Sequence, residues 1–190
     1  MISDKDIVVL GVLEFSSIAV GFNALDEMVK IAPIKIIDAR TISQGKYLII
    51  FSGDLASVEY SFKKGIETGR EFIVDRLMLP MVHPEVVGAL GNTKESEQWE
   101  TVGIIETLTV TSSIESADMA AKESNVKIIE IRLANGYGGK SYVKMIGSIE
   151  DVQASMFAGS SKAKLKNTFC AETIIPQPHN EIKEFFLKKP

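Results

Sequence analysis

The stretch VLGVLE at residues 9–14 returns as TVGIIE at residues 101–106, an offset of 92 residues. Further matches follow in the same order, and the offset grows to 94 and then to 96 across turn-like stretches. They are Asp26 with Asp118, Lys30 with Lys122, Gly45 with Gly139, Lys46 with Lys140, and His83 with His179. Because chance does not keep so many matches in order, the chain is predicted to contain two tandem copies of one domain.

A connecting segment separates the copies. Residues 88–97 contain two glycines and mostly polar side chains, a composition typical of a surface connection. We therefore expect the first domain to span residues 1–95 and the second to span residues 96–190.

Each copy shows the same alternation of strand and helix patterns. In the first copy the predicted elements are a strand at 7–13, an amphipathic helix around 24–29, strands at 35–39 and 47–51, a helix at 58–69, and a strand at 75–79. The order β-α-β-β-α-β predicts an α+β, ferredoxin-like fold, with both helices on one face of an antiparallel sheet. Apolar residues at helical spacing in 181–189 predict a short C-terminal helix that covers the core.

Composition excludes several classes of function. Twenty-one basic residues face 25 acidic ones, a net charge of −4, so no basic excess is available for nucleic acid or an anionic membrane surface. The single cysteine, Cys170, excludes an intrachain disulfide and favours the reducing cytoplasm. Residues 1–15 carry acidic residues around a short apolar run, unlike a signal peptide or a spanning helix.

Both copies resemble the shell domain of bacterial microcompartments, the BMC domain. That domain typically begins with a Gly-x-x-Glu strand and carries an Asp-x-x-x-Lys helix, with apolar residues between. The matching segments are 11–14 and 26–30 in the first copy, and 103–106 and 118–122 in the second. The ending IIPQPH at 174–179 also fits. Because each copy starts at this strand, the chain resembles the unpermuted tandem type, and residues 41–47 and 137–140 bring it nearest to the tandem shell proteins of propanediol-utilisation compartments.

The resemblance implies a structural protein rather than an enzyme. It implies a homotrimer whose six domains imitate a hexagon and tile with other shell proteins around encapsulated enzymes in the cytoplasm. It also implies that the loops before Lys46 and Lys140 line a central pore for small metabolites. These loops contain Ser43, Gln44, Gly45, Asn135, Gly136, Tyr137, Gly138 and Gly139. The residues alone favour plain β-hairpin turns for both loops.

The resemblance further implies that Lys30 and Lys122 meet a neighbouring tile, together with Gln177 and His179 near the chain end. A solvated lysine on a helix face is the simpler interpretation of either lysine alone. The family often has an arginine at the position of Gln177, and glutamine lacks that charge. His83 and His179 have no Cys, His or paired carboxylate at ligand spacing, so no metal site is predicted there.

The residue at position 43, a serine, determines whether an iron–sulfur cluster is expected. In the propanediol-type relatives this position is a cysteine, and three such residues around the axis hold an iron–sulfur cluster. Because thiolates rather than hydroxyls hold such clusters, we predict no cofactor. The alternative, an electron-transferring shell protein with an axial cluster, requires cysteine at position 43 in the natural protein. A second alternative is a ferredoxin-like regulator that binds a small ligand.

Overall fold

The computed structural model describes residues 7–188 and places eight strands in two four-stranded sheets. The first copy contains, in order, β1 (Val9–Phe15), α1 (Ile18–Ile31), β2 (Lys35–Ile42), β3 (Lys46–Gly53), α2 (Leu55–Gly69) and β4 (Ile73–Leu79). The short helix α3 (Pro84–Ala89) follows. The second copy contains β5 (Thr101–Thr107), α4 (Val110–Glu123), β6 (Lys127–Arg132), β7 (Ser141–Gly147), α5 (Ile149–Leu165), β8 (Phe169–Pro176) and the final helix α6 (Lys183–Phe186).

The two sheets have the same antiparallel topology, β2-β3-β1-β4 in the first copy and β6-β7-β5-β8 in the second. The ladder shifts register after Glu14 in β1 and after Glu106 in β5, which are repeat-related positions. The predicted α+β fold with a β-α-β-β-α-β order is therefore confirmed in both copies.

Local sequence accounts for where the main helices begin. Ser17, Asp54, Thr109 and Ser148 each accept a backbone N–H in the first turn of α1, α2, α4 and α5 respectively. A side-chain oxygen at this position satisfies one of the donors that a helix start leaves unpaired. Helices α1 and α2 begin earlier than the apolar spacing predicts, because capping rather than periodicity defines the first turn.

The described residues form two compact units that do not coincide with the sequence repeats. One unit contains residues 7–82 together with the loop Asn135–Gly139, and the other contains 83–134 and 140–188. In the first unit, Leu13 and Phe15 of β1 pack with Met28 of α1 and Val58 of α2. In the second, Val102 and Ile146 pack with Phe186. The domain boundary near residue 95 stays a prediction of the sequence.

The segment after β4 differs from its predicted form. Helix α3 packs on α4 and β6, and its Val86 and Ala89 are fully buried. The backbone then follows the edge of β6, where Gly91 N–H donates to Ile131 O at 3.0 Å and Lys94 N–H donates to Ile129 O at 2.8 Å. The part of the connection predicted to be a surface segment is therefore largely attached to the second unit.

The C-terminal tail forms a short 3₁₀ turn and then α6, as its helical spacing predicts. Phe186 is buried, with its ring 5.6 Å from that of Trp99 in an edge-on arrangement. Ile182 and Phe185 are exposed, so the prediction that all three residues cover the core is right for Phe186 only.

Candidate functional site

The candidate site is built on two hairpin loops at repeat-related positions. Ser43, Gln44 and Gly45 connect β2 to β3, and both Gln44 and Gly45 have positive φ, of 66° and 70°. In the second copy Gly138 and Gly139 occupy the same positions, with φ of 59° and 83°. Positive φ angles lie in the left-handed region, which glycine adopts without strain.

The second-copy loop Asn135–Gly139 lies in the first compact unit, against the Ser43 loop. Gly136 N–H donates to Ser43 Oγ at 2.7 Å, and Lys46 Nζ donates to Gly139 O at 3.3 Å. All eight residues predicted to line a pore therefore belong to one pair of touching loops. Gly139 is buried in this contact and its repeat-related Gly45 is exposed.

A buried ion pair lies beneath this contact. Lys46 Nζ donates to Glu14 Oε1 at 2.5 Å, and the side chains are 10% and 0% exposed respectively. The Glu14 carboxylate compensates the charge of Lys46, and the Gly139 carbonyl supplies a further acceptor for the ammonium. A buried charge needs such partners because its desolvation costs several kcal/mol, on the order of the attraction that it gains.

The second copy contains the same pair without the cover. Lys140 Nζ donates to Glu106 Oε1 at 2.6 Å, but the lysine is 53% exposed and the glutamate 34% exposed. The hydrogen bond and charge of Glu106 raise the pKa of Lys140 above its usual value. The neighbouring Cys170 is partly buried, and burial raises the pKa of its thiol. Sequence reasoning missed these pairs, although repetition of each glutamate and lysine at the loops was a signal for them.

The predicted edge residues form separate local pairs. Lys30 pairs with Asp26 and Lys122 with Asp118, each across one helical turn. The bond to Asp26 raises the pKa of Lys30. Gln177 is exposed at the end of β8, and its N–H donates to Glu100 O at 2.7 Å.

His83 and His179 have matching roles as caps. Each accepts a backbone N–H at its Nδ1, from Glu85 and Glu181 respectively, at 3.3 Å. The His83 N–H also donates to Asp118 Oδ1 at 2.8 Å, while Asp118 Oδ2 accepts from Lys122 at 2.5 Å. Asp118 is thereby 4% exposed, compared with 55% for its counterpart Asp26.

In the described part of the chain, side chains that could bind a metal are not clustered. Among residues 7–188, no three His, Cys, Asp or Glu side chains lie close enough together to hold a metal ion. Ser43 does not fit an iron–sulfur cluster, because its donor is a hydroxyl oxygen that already accepts the Gly136 N–H. Over the same residues, every helix is too short or too polar to span a bilayer.

Known proteins match nearly the whole chain. The profile of the BMC domain matches residues 9–82 and again 101–178. The bacterial microcompartment shell protein PduT of Citrobacter freundii is 34% identical over 173 residues, which cover 91% of this chain and 94% of that protein. A crystal structure of a microcompartment protein from Desulfitobacterium hafniense DCB superposes with a TM-score of 0.82 at 34% identity, covering 94% of this chain and 99% of that one. The single-domain shell protein PduA of Citrobacter freundii is 32% identical over 95 residues, 48% of this chain and 96% of PduA.

Proposed function

This chain belongs to the BMC-domain family of bacterial microcompartment shell proteins, and from that membership we propose that three copies close into a pseudohexameric tile with a central pore. The chain carries two BMC domains, and its relatives are structural shell proteins rather than enzymes. The tandem arrangement supplies two of the six domains of a hexagonal tile, so a homotrimer completes the ring.

The inequality of the two Glu–Lys pairs carries this proposal. The pair Glu14–Lys46 is sealed by the second-copy loop, whereas Glu106–Lys140 has the same chemistry and is open to solvent. A ring offers an equivalent cover to the second pair, because each second copy then meets the first-copy loop of the next chain. The Gly45 carbonyl of that chain would occupy the place that Gly139 O has over Lys46.

In such a ring, three Ser43–Gly45 loops alternate with three 135–139 loops around the axis. Both loop types present backbone amides and small polar side chains, and Tyr137 is exposed in the longer one. Passage is passive: pore width and these polar groups select small metabolites. The glycines allow the backbones to approach one another closely at the axis.

The tile is proposed to act in the shell of a microcompartment within the bacterial cytoplasm, beside other shell proteins and around encapsulated enzymes. Lys30 and Lys122 are exposed on repeat-related helices, and Gln177 is exposed after β8, which supports a role at the tile edge for these three residues. Lateral contacts between tiles would extend the layer. Neither alternative function, an electron-transferring shell protein or a small-ligand regulator, gains support from the relatives.

Two measurements test the tile. Light scattering at micromolar concentration should give three times the chain mass of 20.8 kDa, and a monomer would refute the proposal. In a Cys170→Ser background, Ser43→Cys should be joined into a covalent trimer by a short three-armed maleimide, because three such residues surround the axis. Lys63→Cys on the exposed side of α2 is the matched control and should not be joined. Failure of Ser43→Cys to form the trimer would place this loop away from the axis.

The absence of a cluster is a separate prediction. Protein purified without oxygen should contain no stoichiometric iron and no cluster absorbance band, since iron–sulfur clusters are held by cysteine thiolates. Stoichiometric iron with that absorbance would overturn the prediction without affecting the trimer.

A further inference from the structure

We infer that the strand end around His179 docks on the N-terminal half of the next copy, with the Asp26 carboxylate accepting the His179 backbone N–H. This inference rests on the proposed ring and names one contact that holds it together. It moves His179 from the outer edge of the tile, where the family resemblance puts it, to the contact between chains inside the tile.

The template for this contact is present within the second compact unit. The His83 N–H donates to Asp118 Oδ1 at 2.8 Å, and Glu85 Oε2 accepts the Ile128 N–H at 3.2 Å. Helix α3 then lays Val86 and Ala89 against α4 and β6. One strand end thus binds a surface made of a helix and an edge strand through backbone bonds and apolar packing.

The first copy carries the same receiving surface, and no segment within residues 7–188 is bound to it as helix α3 is bound to the second copy. Asp26 is 55% exposed and uses Oδ2 for Lys30, as Asp118 uses Oδ2 for Lys122. Phe22 and Val29 of α1 are exposed, whereas their repeat counterparts on α4 are buried. Strand β2 is the edge of its sheet and is only partly buried, while β6 is almost fully buried. An exposed apolar helix beside an open strand edge is typical of an interface.

The second copy also carries the docking segment, and within the described part of the chain its residues Ile182 and Phe185 are not covered. His179 caps the turn after β8 with the same Nδ1 contact that His83 makes after β4. Ile182 corresponds to the buried Val86 and is exposed, and so is Phe185. The correspondence ends at Phe186, which packs on Trp99 of its own unit, so the proposed contact is confined to residues 179–185.

A second copy of the same chain is the occupant that fits both surfaces. The donor segment and the receiving surface differ, so each chain offers one of each and the contact is head-to-tail. Repeated head-to-tail contacts form a closed ring when their rotation closes. The contact between the His83 segment and the surface around Asp118 already exists inside the chain. If the His179 segment contacts the next chain around Asp26 in the same way, all six domains occupy equivalent positions in the ring.

A disulfide test distinguishes this contact from others in the ring. In a Cys170→Ser background, His179→Cys with Asp26→Cys should form covalent dimers and trimers on oxidation, seen on a non-reducing gel and reversed by reductant. The matched control, His83→Cys with Asp118→Cys, should close within one chain and keep the monomer mass. Each single-cysteine variant should give no ladder.

The inference is wrong if His179→Cys with Asp26→Cys gives no covalent dimers or trimers while two conditions hold. The control pair must form its disulfide within one chain, and the native mass must remain that of a trimer. A monomeric native mass would instead refute the proposed tile. As a second measurement, Asp26→Ala should weaken the trimer. The protein concentration at which half of the trimer has dissociated should rise by roughly tenfold or more, because each contact loses a hydrogen bond to a charged group. Asp118→Ala should lower the unfolding midpoint at every concentration, and an unchanged trimer in Asp26→Ala would contradict the contact.

Discussion

Replacement of the two repeat-related lysines should have unequal effects on stability. Lys46→Met leaves the Glu14 carboxylate, which is 0% exposed, without the ammonium that lies 2.5 Å away. Removal of one partner from a buried ion pair costs about 3–5 kcal/mol. Lys140→Met removes the partner of a carboxylate that is 34% exposed, and solvent screening holds the cost in the isolated chain to about 0–1 kcal/mol.

The comparison is made by urea unfolding at a protein concentration low enough for the chain to be monomeric. With a difference of about 3 kcal/mol, the thermal midpoints of the two variants should also differ by roughly 6–12 °C for a chain of this size. At concentrations where the trimer forms, the cost of Lys140→Met should rise toward that of Lys46→Met, because the neighbouring loop then covers Glu106. Equal losses for the two variants at low concentration would refute the reasoning that loop 135–139 seals the first pair.

Three further predictions concern individual side chains and their repeat counterparts. Gly11→Ala should lower the thermal midpoint more than Gly103→Ala. A β-carbon at Gly11 would lie 2.4 Å from the buried Phe51 ring, which cannot easily move. At Gly103 the nearest atom, at 2.8 Å, belongs to the flexible Met156 side chain. Hydrogen bonds from Ser57 hold the pKa of Asp54 below its usual 3.8. The stabilisation from the Asp54 carboxylate is therefore fully present above that value and is lost as the pH falls through the lower, folded-state pKa. The unfolding midpoints of wild type and Asp54→Asn should begin to converge only below a pH of 3.8 and should meet below the folded-state pKa. Lys30→Ala with Lys122→Ala should leave the trimer mass unchanged but reduce sheet formation in electron micrographs, and intact sheets would contradict an edge role for these lysines.

The sequence predicts the parts of the fold that local pattern controls. The repeat and the order of strands and helices follow from apolar spacing and turn residues that each copy carries twice. Helix α3 was not predicted, because a six-residue helix that contains Gly88 is too short to show the apolar spacing of a helix. What buries this helix is a surface on α4 and β6, and its partner Asp118 lies 35 residues away from His83. A contact between residues so far apart in the chain cannot be predicted from the local sequence pattern.

The candidate site was predicted in its residues but not in its geometry. Both hairpin loops were placed by their glycines, yet nothing in either loop shows that Gly136 would donate to Ser43, 93 residues earlier. The Glu14–Lys46 pair joins positions 32 residues apart. Repetition marked each member separately, and only the antiparallel pairing of β1 with β3 brings the two together.

The pattern of likeness and difference between the copies then has a physical explanation. The pairs Glu14–Lys46 and Glu106–Lys140 have the same chemistry. In the proposed ring each pair meets the same kind of neighbouring loop, which explains why both copies keep it. Before the shared Gly45 and Gly139 the loops differ, with Ser43 in one and Tyr137 at the related position of the other. A hexamer of one domain would place six identical loops around its axis. A trimer of a duplicated chain can keep its interfaces nearly constant and still present two different loops to the pore. Substitutions in these loops should therefore change the selectivity of the pore with the smallest loss of assembly stability.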